Sequence, residues 1–126
     1  MIGGIGIDDP FGNNMSLARN AVKLLFVSIH VRPSVLARLL AVLTSAEADR
    51  AARFHHDGDR RRSIVGRAAL RHLLSRHFGV EPQSFHFELQ ENGKPFLRES
   101  DIHFNVSHSG EVVAIALAAN EVGVDI

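Results

Sequence analysis

Residues 103–110, His-Phe-Asn-Val-Ser-His-Ser-Gly, place several polar side chains inside an otherwise strand-like stretch. Asn105, Ser107, His108 and Ser109 can donate and accept hydrogen bonds, and the imidazole of His108 can carry a proton near neutral pH. Gly110 then favours a turn. The pattern fits two interpretations, a polar turn or a loop that binds a polar ligand. The rest of the sequence is needed to distinguish them.

Charge is distributed unevenly along the chain, although its formal net charge is zero. Residues 50–76 contain eight arginines and two aspartates, which gives +6, whereas residues 77–126 contain eight acids, one lysine and one arginine, which gives −6. Such separation suits an anion bound in one place and a cation in another. Two solvated faces that neutralise each other are the alternative.

The composition limits the classes of protein that this chain can represent. Its 126 residues, 45% of them hydrophobic, suit one domain or one half of a larger enzyme. The absence of cysteine excludes disulfides, a thiol nucleophile and a cysteine-based zinc site. The sequence shows neither an apolar stretch long enough to cross a bilayer nor the pattern of a signal peptide, so we expect a cytoplasmic protein.

The first half of the chain is predicted to be mainly helical. Residues 24–31 read as a buried strand, and Pro33 suits the first turn of the helix that follows. Thr44 and Glu47 form a capping box that starts a second helix. A third helix is expected to begin at an Asp57 or Asp59 cap, to end at Gly79, and to present Arg60, Arg67 and Arg71 outward.

The second half is predicted to be β-structure. Residues 85–90 alternate between apolar and polar side chains, and Asn92-Gly93 signals a hairpin turn. Residues 102–106 and 112–118 read as two further strands, and residues 122–126 as a last one. The expected fold class is α+β, an antiparallel sheet with helices packed on one face.

Two boundaries follow from the same patterns. Residues 1–22 are expected to be a leader or an irregular segment, and residues 23–126 to form the folded part. The chain stops inside the strand motif at residues 122–126, whereas domain boundaries usually fall in polar linkers. We therefore expect that the sheet is cut, and that its open edge allows a homodimer.

Several motifs in this order resemble the N-terminal half of Sfp-type 4′-phosphopantetheinyl transferases. The resemblance covers residues from about 24 to 126 and includes these motifs: Ala52-Arg53-Phe54-His55-His56, Asp59-Arg60-Arg61-Arg62, Gly66-Arg67, Gly93-Lys94-Pro95, residues 104–110, and Val122-Gly123-Val124-Asp125-Ile126. Each motif alone is weak, but their order and spacing are specific. The resemblance implies one half of a fold with pseudo-two-fold symmetry.

The resemblance also implies an activity. It is the Mg²⁺-dependent transfer of the 4′-phosphopantetheine group from coenzyme A to a serine of an acyl or peptidyl carrier protein, as in fatty acid, polyketide and nonribosomal peptide biosynthesis. The phosphates of coenzyme A suit guanidinium forks, and a metal with fixed cations can stabilise the charge that develops on the phosphate oxygens.

Site residues follow from the resemblance, position by position. Arg50 and Arg53 match basic residues at the 3′-phosphate end of coenzyme A, Lys94 matches the lysine that faces the coenzyme, and Ser107 and His108 match a phosphate-binding pair. Asp125 matches the first Mg²⁺ ligand. The family's next metal ligands and its catalytic Lys-Glu pair belong to a second half, so no catalytic residue is expected here and this chain alone is expected to be inactive.

Alternative interpretations remain open. The Arg-rich helix could bind nucleic acid or another polyanion without catalysis, although zero net charge and the lack of Trp and Tyr argue against this. The chain could also be the remnant of a broken gene. Arg61 and Arg62 are interpreted as structural, and Arg67 is left undecided. Ile5-Gly6-Ile7-Asp8 is similar to the start of the short trimeric holo-carrier-protein synthases, which we interpret as coincidence or a leader.

Overall fold

The structure is a computed structural model, and it describes residues 22–98 and 100–119. The elements in chain order are β1 (Val22–Ser28), α1 (Pro33–Ala41), α2 (Ser45–Ala52), α3 (Asp57–Phe78), a short 3₁₀ helix (Pro82–Ser84), β2 (Glu88–Leu89), β3 (Pro95–Phe96), β4 (His103–Ser109) and β5 (Val112–Ala118). Residues 1–21 of the predicted leader, the strand at residues 122–126 and Asp125 lie outside the described residues, whereas Val22, the last residue of that leader, is the first residue of β1. The predicted α+β class is confirmed.

Within the described residues, the main sheet has three antiparallel strands in the order β1-β5-β4. Side chains alternate between the two faces of each strand, so Val113, Ile115 and Leu117 of β5 point into the core together with Phe104 of β4. Helix α3 packs on that face. On the other face β1 leaves Val22, Leu24 and Phe26 exposed, by 50%, 50% and 59%.

The ends of the helices follow the local sequence in most places. Pro33 occupies the first turn of α1, and Gly79 ends α3 with a left-handed φ of 72°, as predicted. The capping box of α2 is also confirmed, because Thr44 Oγ1 accepts a hydrogen bond from Glu47 N at 3.2 Å and Glu47 Oε1 accepts one from Thr44 N at 3.0 Å. These local signals fix the starts of α1 and α2 and the end of α3.

The predicted cap of α3 is wrong. The N-cap residue is His56, which makes no capping hydrogen bond, and Asp57 and Asp59 already lie in the first turn of the helix. There their negative charges stabilise the helix, because they interact with the positive end of its dipole. They also bind arginines of the next turn, since Asp57 pairs with Arg61 at 2.9 Å and Asp59 with Arg62 at 2.6 Å.

Helix α3 supplies the centre of the core, but its arginines do not all face outward. The predicted apolar row of Val65, Ala69 and Leu73 is fully buried, which confirms the periodicity. Arg71 was expected on the exposed positive face, and this is wrong: it is the largest fully buried side chain of the described residues, 1% exposed. A buried guanidinium needs partners for all its donors, and the site described below provides them.

The predicted strand at residues 85–90 is mostly irregular. Only Glu88–Leu89 pairs, with Pro95–Phe96 across the hairpin. Phe85 is buried in the core and Phe87 packs against it, with the Phe87 ring 5.6 Å from the ring of Phe104, so burial of these rings replaces strand pairing. The turn itself is confirmed, because Gly93 N donates to Gln90 O at 2.8 Å.

In the part of the chain that the structure describes, no helix has both the length and the apolar character needed to span a bilayer.

His72 on α3 predicts how stability depends on pH. Burial lowers the pKa of its imidazole from 6.5 to about 4, so the folded chain holds it neutral where the unfolded chain binds a proton. The contribution of the neutral His72 to the free energy of unfolding is therefore complete above pH 6.5 and is lost as the pH drops towards 4. We expect the free energy of unfolding to decrease by about 1 kcal/mol between pH 7 and pH 5, a value discounted for partial exposure.

Urea denaturation at the two pH values measures this effect. The His72→Gln variant removes the titrating group and should reduce the pH dependence, whereas the control His55→Gln, in an exposed turn, should leave it as in the wild type. An unchanged pH dependence in His72→Gln would contradict the prediction.

Candidate functional site

An open groove of about 600 Å³ lies between α2, α3 as far as Arg71, the β2–β3 hairpin and the end of β4. Its size is within the usual range for small-molecule sites. It combines basic side chains with an apolar wall. The lining residues are Thr44, Ala46, Glu47, Arg50, Phe54, Asp59, Arg62, Ser63, Gly66, Arg67, Leu70, Arg71, Phe85, His86, Phe87, Leu89, Gly93, Pro95, Val106 and His108.

Two of the predicted coenzyme-binding residues line this groove. Arg50 is in the last turn of α2, and His108 is near the end of β4. No hydrogen bond or ion pair joins either side chain to another residue among those described. An anion can therefore bind either side chain without displacing a hydrogen bond or an ion pair, although His108 also interacts with the negative charge of Asp59.

Lys94 and Arg53 lie near the groove, but they do not line it. Lys94 is partly buried in the hairpin turn between Gly93 and Pro95, both of which do line the groove. Its backbone N donates to Asn92 Oδ1 at 3.0 Å, which fixes the turn. Arg53 is the exposed C-cap residue of α2.

The polar stretch at residues 105–110 is a strand, so its interpretation as a loop is wrong. Strand β4 continues through Ser109, and the turn begins only at Gly110, whose φ is 56°. Because alternate side chains point to opposite faces, Ser107 pairs with Ala114 on one face and His108 with Val113 on the other. Only His108 faces the groove, and a ligand would have to cross the edge of β4 to contact both residues.

A buried network on the floor of the groove joins Glu47 to Arg71. The guanidinium of Arg71 donates from Nε to Glu47 Oε1 at 3.0 Å and from Nη2 to Glu47 Oε2 at 2.9 Å, a bidentate pair. Arg67 donates to the same Oε2 at 2.7 Å. Arg67, left undecided from the sequence, is thus bound to a carboxylate.

Glu47 remains ionised in this network. Burial by itself raises the pKa of its carboxyl, but hydrogen bonds from Arg71 and from Thr44 N, with the charges of Arg71 and Arg67, hold that pKa below its ordinary value. One carboxylate is thus shared by two guanidinium groups. The trio keeps one excess positive charge beside the groove.

Arg62 fixes the turn that follows His108. Its guanidinium donates to Asp59 Oδ1 at 2.6 Å and to the carbonyl oxygen of Gly110 at 2.7 Å. The hydrogen bond and the charge of Arg62, with smaller contributions from His56 and His108, lower the pKa of the Asp59 carboxyl. The structural interpretation of Arg62 is confirmed, and so is that of Arg61, which donates to the carbonyl oxygens of Ile29 and Val31.

The apolar wall gives the groove a second kind of surface. Phe87 lies under two guanidinium groups, with the Arg67 and Arg71 carbons 4.8 Å and 4.9 Å from its ring centre. Leu89, on the rim of the wall, is 63% exposed. The groove can therefore hold a ligand that has both an anionic group and a flat or apolar part.

The described residues do not complete a metal site. Within residues 22–98 and 100–119, no three His, Asp or Glu side chains are placed to hold a metal ion. The predicted ligand Asp125 is not among these residues.

Comparison with known proteins places the chain in a family. Residues 31–120 match the family described as "4′-phosphopantetheinyl transferase, N-terminal". The chain is 36% identical over 122 residues to the 4′-phosphopantetheinyl transferase HetI of Nostoc sp., an alignment that covers 93% of this chain and 52% of HetI. It is 32% identical over 90 residues to the 4′-phosphopantetheinyl transferase Sfp of Bacillus subtilis, which covers 71% of this chain and 40% of Sfp.

A third relative gives the same result. The 4′-phosphopantetheinyl transferase gsp of Aneurinibacillus migulanus is 34% identical over 110 residues, which cover 83% of this chain and 45% of that protein. The chain spans about half the length, or less, of the curated relatives it matches. The chain belongs to the 4′-phosphopantetheinyl transferase family, and it matches the N-terminal domain of that family.

Proposed function

We propose that the groove binds coenzyme A and that the chain serves the transfer of 4′-phosphopantetheine to a serine of a carrier protein. The observation that carries this proposal is the division among the basic residues of the groove. Arg62, Arg67 and Arg71 are bound to Asp59 or Glu47. Arg50 and His108, which the resemblance assigns to phosphate, have no ion-pair partner among the described residues.

The groups of coenzyme A suit this arrangement. Its 3′-phosphate and pyrophosphate accept charge-assisted hydrogen bonds, and guanidinium forks fit phosphate oxygens. In this proposal Arg50, assisted by Arg53, binds the 3′-phosphate end and Lys94 faces the coenzyme from the hairpin. His108 meets a phosphate from the groove, and Ser107 meets it from the other face of β4.

The proposed transfer exchanges one phosphorus–oxygen bond for another. The serine oxygen of the carrier protein bonds to the phosphorus that carries pantetheine, and the anhydride bond of coenzyme A breaks. Adenosine 3′,5′-bisphosphate leaves with the electron pair of that bond, and the serine proton is released to solvent. Fixed cations beside the groove stabilise the charge on the phosphate oxygens. When bound, Mg²⁺ would neutralise the same oxygens. We propose Asp125 as one of its ligands on the resemblance alone.

We propose the transfer reaction for a protein that carries the family's catalytic Lys-Glu pair in addition to this domain. None of the site residues assigned above corresponds to that pair. Binding of coenzyme A is proposed for this chain. The carrier proteins are proposed to be those of fatty acid, polyketide or nonribosomal peptide biosynthesis, and the location to be cytoplasmic. Self-association through the edge of the sheet also stays a prediction, which size-exclusion chromatography would test.

The polyanion-binding alternative requires a free positive surface on α3. The arginines of its first two turns are instead bound internally, because Arg60 and Arg61 contact Asp57 and Arg62 contacts Asp59. Such pairs leave little unpaired charge for a nucleic-acid backbone. The site therefore favours a compact anionic ligand.

Calorimetric titration of coenzyme A tests the proposal. We expect binding that weakens as salt is raised and that falls by about tenfold in Lys94→Ala, the value of one charge-assisted hydrogen bond. Arg38→Ala, which removes an exposed cation on α1 outside the groove, is the matched control and should bind as the wild type does. Salt-sensitive binding of nucleic acid that coenzyme A does not compete away would contradict the proposal.

A further inference from the structure

We propose that Arg71 is a positioning residue, which holds the two walls of the groove at the spacing that coenzyme A requires. This inference rests on the proposed function, because it concerns the same groove. A role for Arg71 goes beyond the proposed function, because all polar contacts of Arg71 are made within the protein. The geometry that carries it is a single buried guanidinium bound to both walls.

The first wall is α2, which carries Arg50. Arg71 reaches α2 through the bidentate contact with Glu47, at 3.0 Å and 2.9 Å. Glu47 is also the residue whose side chain closes the capping box with Thr44, at the start of that helix. Arg71 therefore holds α2 at its first turn, one helical turn before Arg50.

The second wall is the segment at residues 82–87, which leads into the β2–β3 hairpin. Arg71 Nη1 donates to the carbonyl oxygen of Pro82 at 3.0 Å and to that of Phe85 at 2.9 Å. Its guanidinium also lies over the ring of Phe87, 4.9 Å from the centre. The same side chain thus fixes the segment that supplies His86 and Phe87 to the groove.

Only an arginine can make this set of contacts. Its planar fork offers five donors in a fixed geometry, whereas the ammonium of a lysine is a point charge that cannot bind a carboxylate bidentately and two carbonyls together. Arg67 is a useful contrast. It shares Glu47 and Phe87 with Arg71, but no contact found among the described residues joins it to the carbonyl oxygens of Pro82 or Phe85.

The test compares Arg71→Lys with Leu39→Ala. Leu39 is a buried core residue of α1 that does not line the groove, so its truncation destabilises the fold without touching either wall. The chain has no cysteine, so nitroxide labels on introduced cysteines at the exposed residues Ala52 and Gln83 report the distance between the walls without other modification. Calorimetry with coenzyme A and thermal unfolding complete the set.

We expect Arg71→Lys to broaden the distance distribution between the labels and to weaken binding of coenzyme A by about tenfold. Leu39→Ala should lower the melting temperature and change neither quantity, and Arg67→Met should leave the distance as in the wild type. If Arg71→Lys matches Leu39→Ala in all three measurements, Arg71 only stabilises the fold and the inference is overturned.

Two further outcomes remain decisive. If Arg71→Lys does not fold, Glu47→Gln takes its place, since the amide oxygen still accepts a hydrogen bond at the helix start while the bidentate pair is lost. The same broadening would then support the inference, and an unchanged distance would overturn it. If the wild type does not bind coenzyme A, the proposed function fails, and the label distances alone decide whether Arg71 sets the spacing of the walls.

Discussion

Replacing Arg50 and His108 together by alanine lowers the affinity of the chain for coenzyme A by about a hundredfold or more. Each side chain lines the groove without an internal ion-pair partner among the described residues. Each can therefore give a full charge-assisted hydrogen bond to a phosphate, and two such bonds multiply in the binding constant. Calorimetric titration of the double variant and of both single variants measures the effect.

The choice of ligand makes this prediction specific. If Arg50 contacts the 3′-phosphate, Arg50→Ala should weaken binding of coenzyme A by about tenfold and should leave binding of 3′-dephospho-coenzyme A nearly unchanged. His108→Ala should weaken binding of both ligands, because both retain the pyrophosphate. Equal losses for the two ligands in Arg50→Ala would contradict its assignment to the 3′-phosphate.

Replacing Glu47 by alanine has the largest expected effect on stability. The variant leaves the buried guanidinium of Arg71 without its carboxylate and removes half of the capping box of α2. Breaking a buried ion pair by deletion of one partner typically costs about 3–5 kcal/mol, because an uncompensated charge remains inside the protein. We expect the free energy of unfolding in urea to fall by that amount.

Asp49→Ala is the matched control, since it deletes an exposed carboxylate from the same helix and should change stability by less than about 0.5 kcal/mol. The pKa of Glu47 is lowered in the folded chain, so its contribution is complete above the ordinary carboxyl pKa and is lost as the pH falls through the lowered value. A loss in Glu47→Ala no larger than that of Asp49→Ala would show that the network is not structural.

Signals that act over a few residues predicted the fold well. The capping box at Thr44 and Glu47, the stop at Gly79 and the turn at Asn92-Gly93 depend only on neighbouring residues, and all three are confirmed. Strand β5 coincides with the predicted apolar run. In these segments the local preference and the tertiary structure agree.

The burial of Arg71 could not be predicted from periodicity. Helical spacing places it beside Arg67 on what reads as a charged face, but its partners lie 24 residues earlier, at Glu47, and 11 and 14 residues later, at Pro82 and Phe85. An i,i+4 pattern contains no information about such contacts. The capping-box glutamate was visible in the sequence, but its second role as a partner for two arginines was not.

The sequence also did not predict that Ser107 and His108 lie on opposite faces of a strand. A polar run ending in glycine reads as a loop, yet the pairing with β5 continues through Ser109. Cross-strand hydrogen bonds of the backbone outweigh the low strand propensity of Asn105. The candidate site therefore consists of a groove with His108 on one side and Ser107 beyond the edge of the strand.

Amide chemical shifts during a titration with coenzyme A test the central claim most directly, because they locate the ligand on the folded chain. The proposal predicts that the largest changes fall on groove residues, such as Arg50, Gly93 and His108, and that the exposed face of β1 around Leu24 changes little. Shifts that concentrate on β1 or on α1, with the groove unaffected, would contradict the assignment of this groove to coenzyme A.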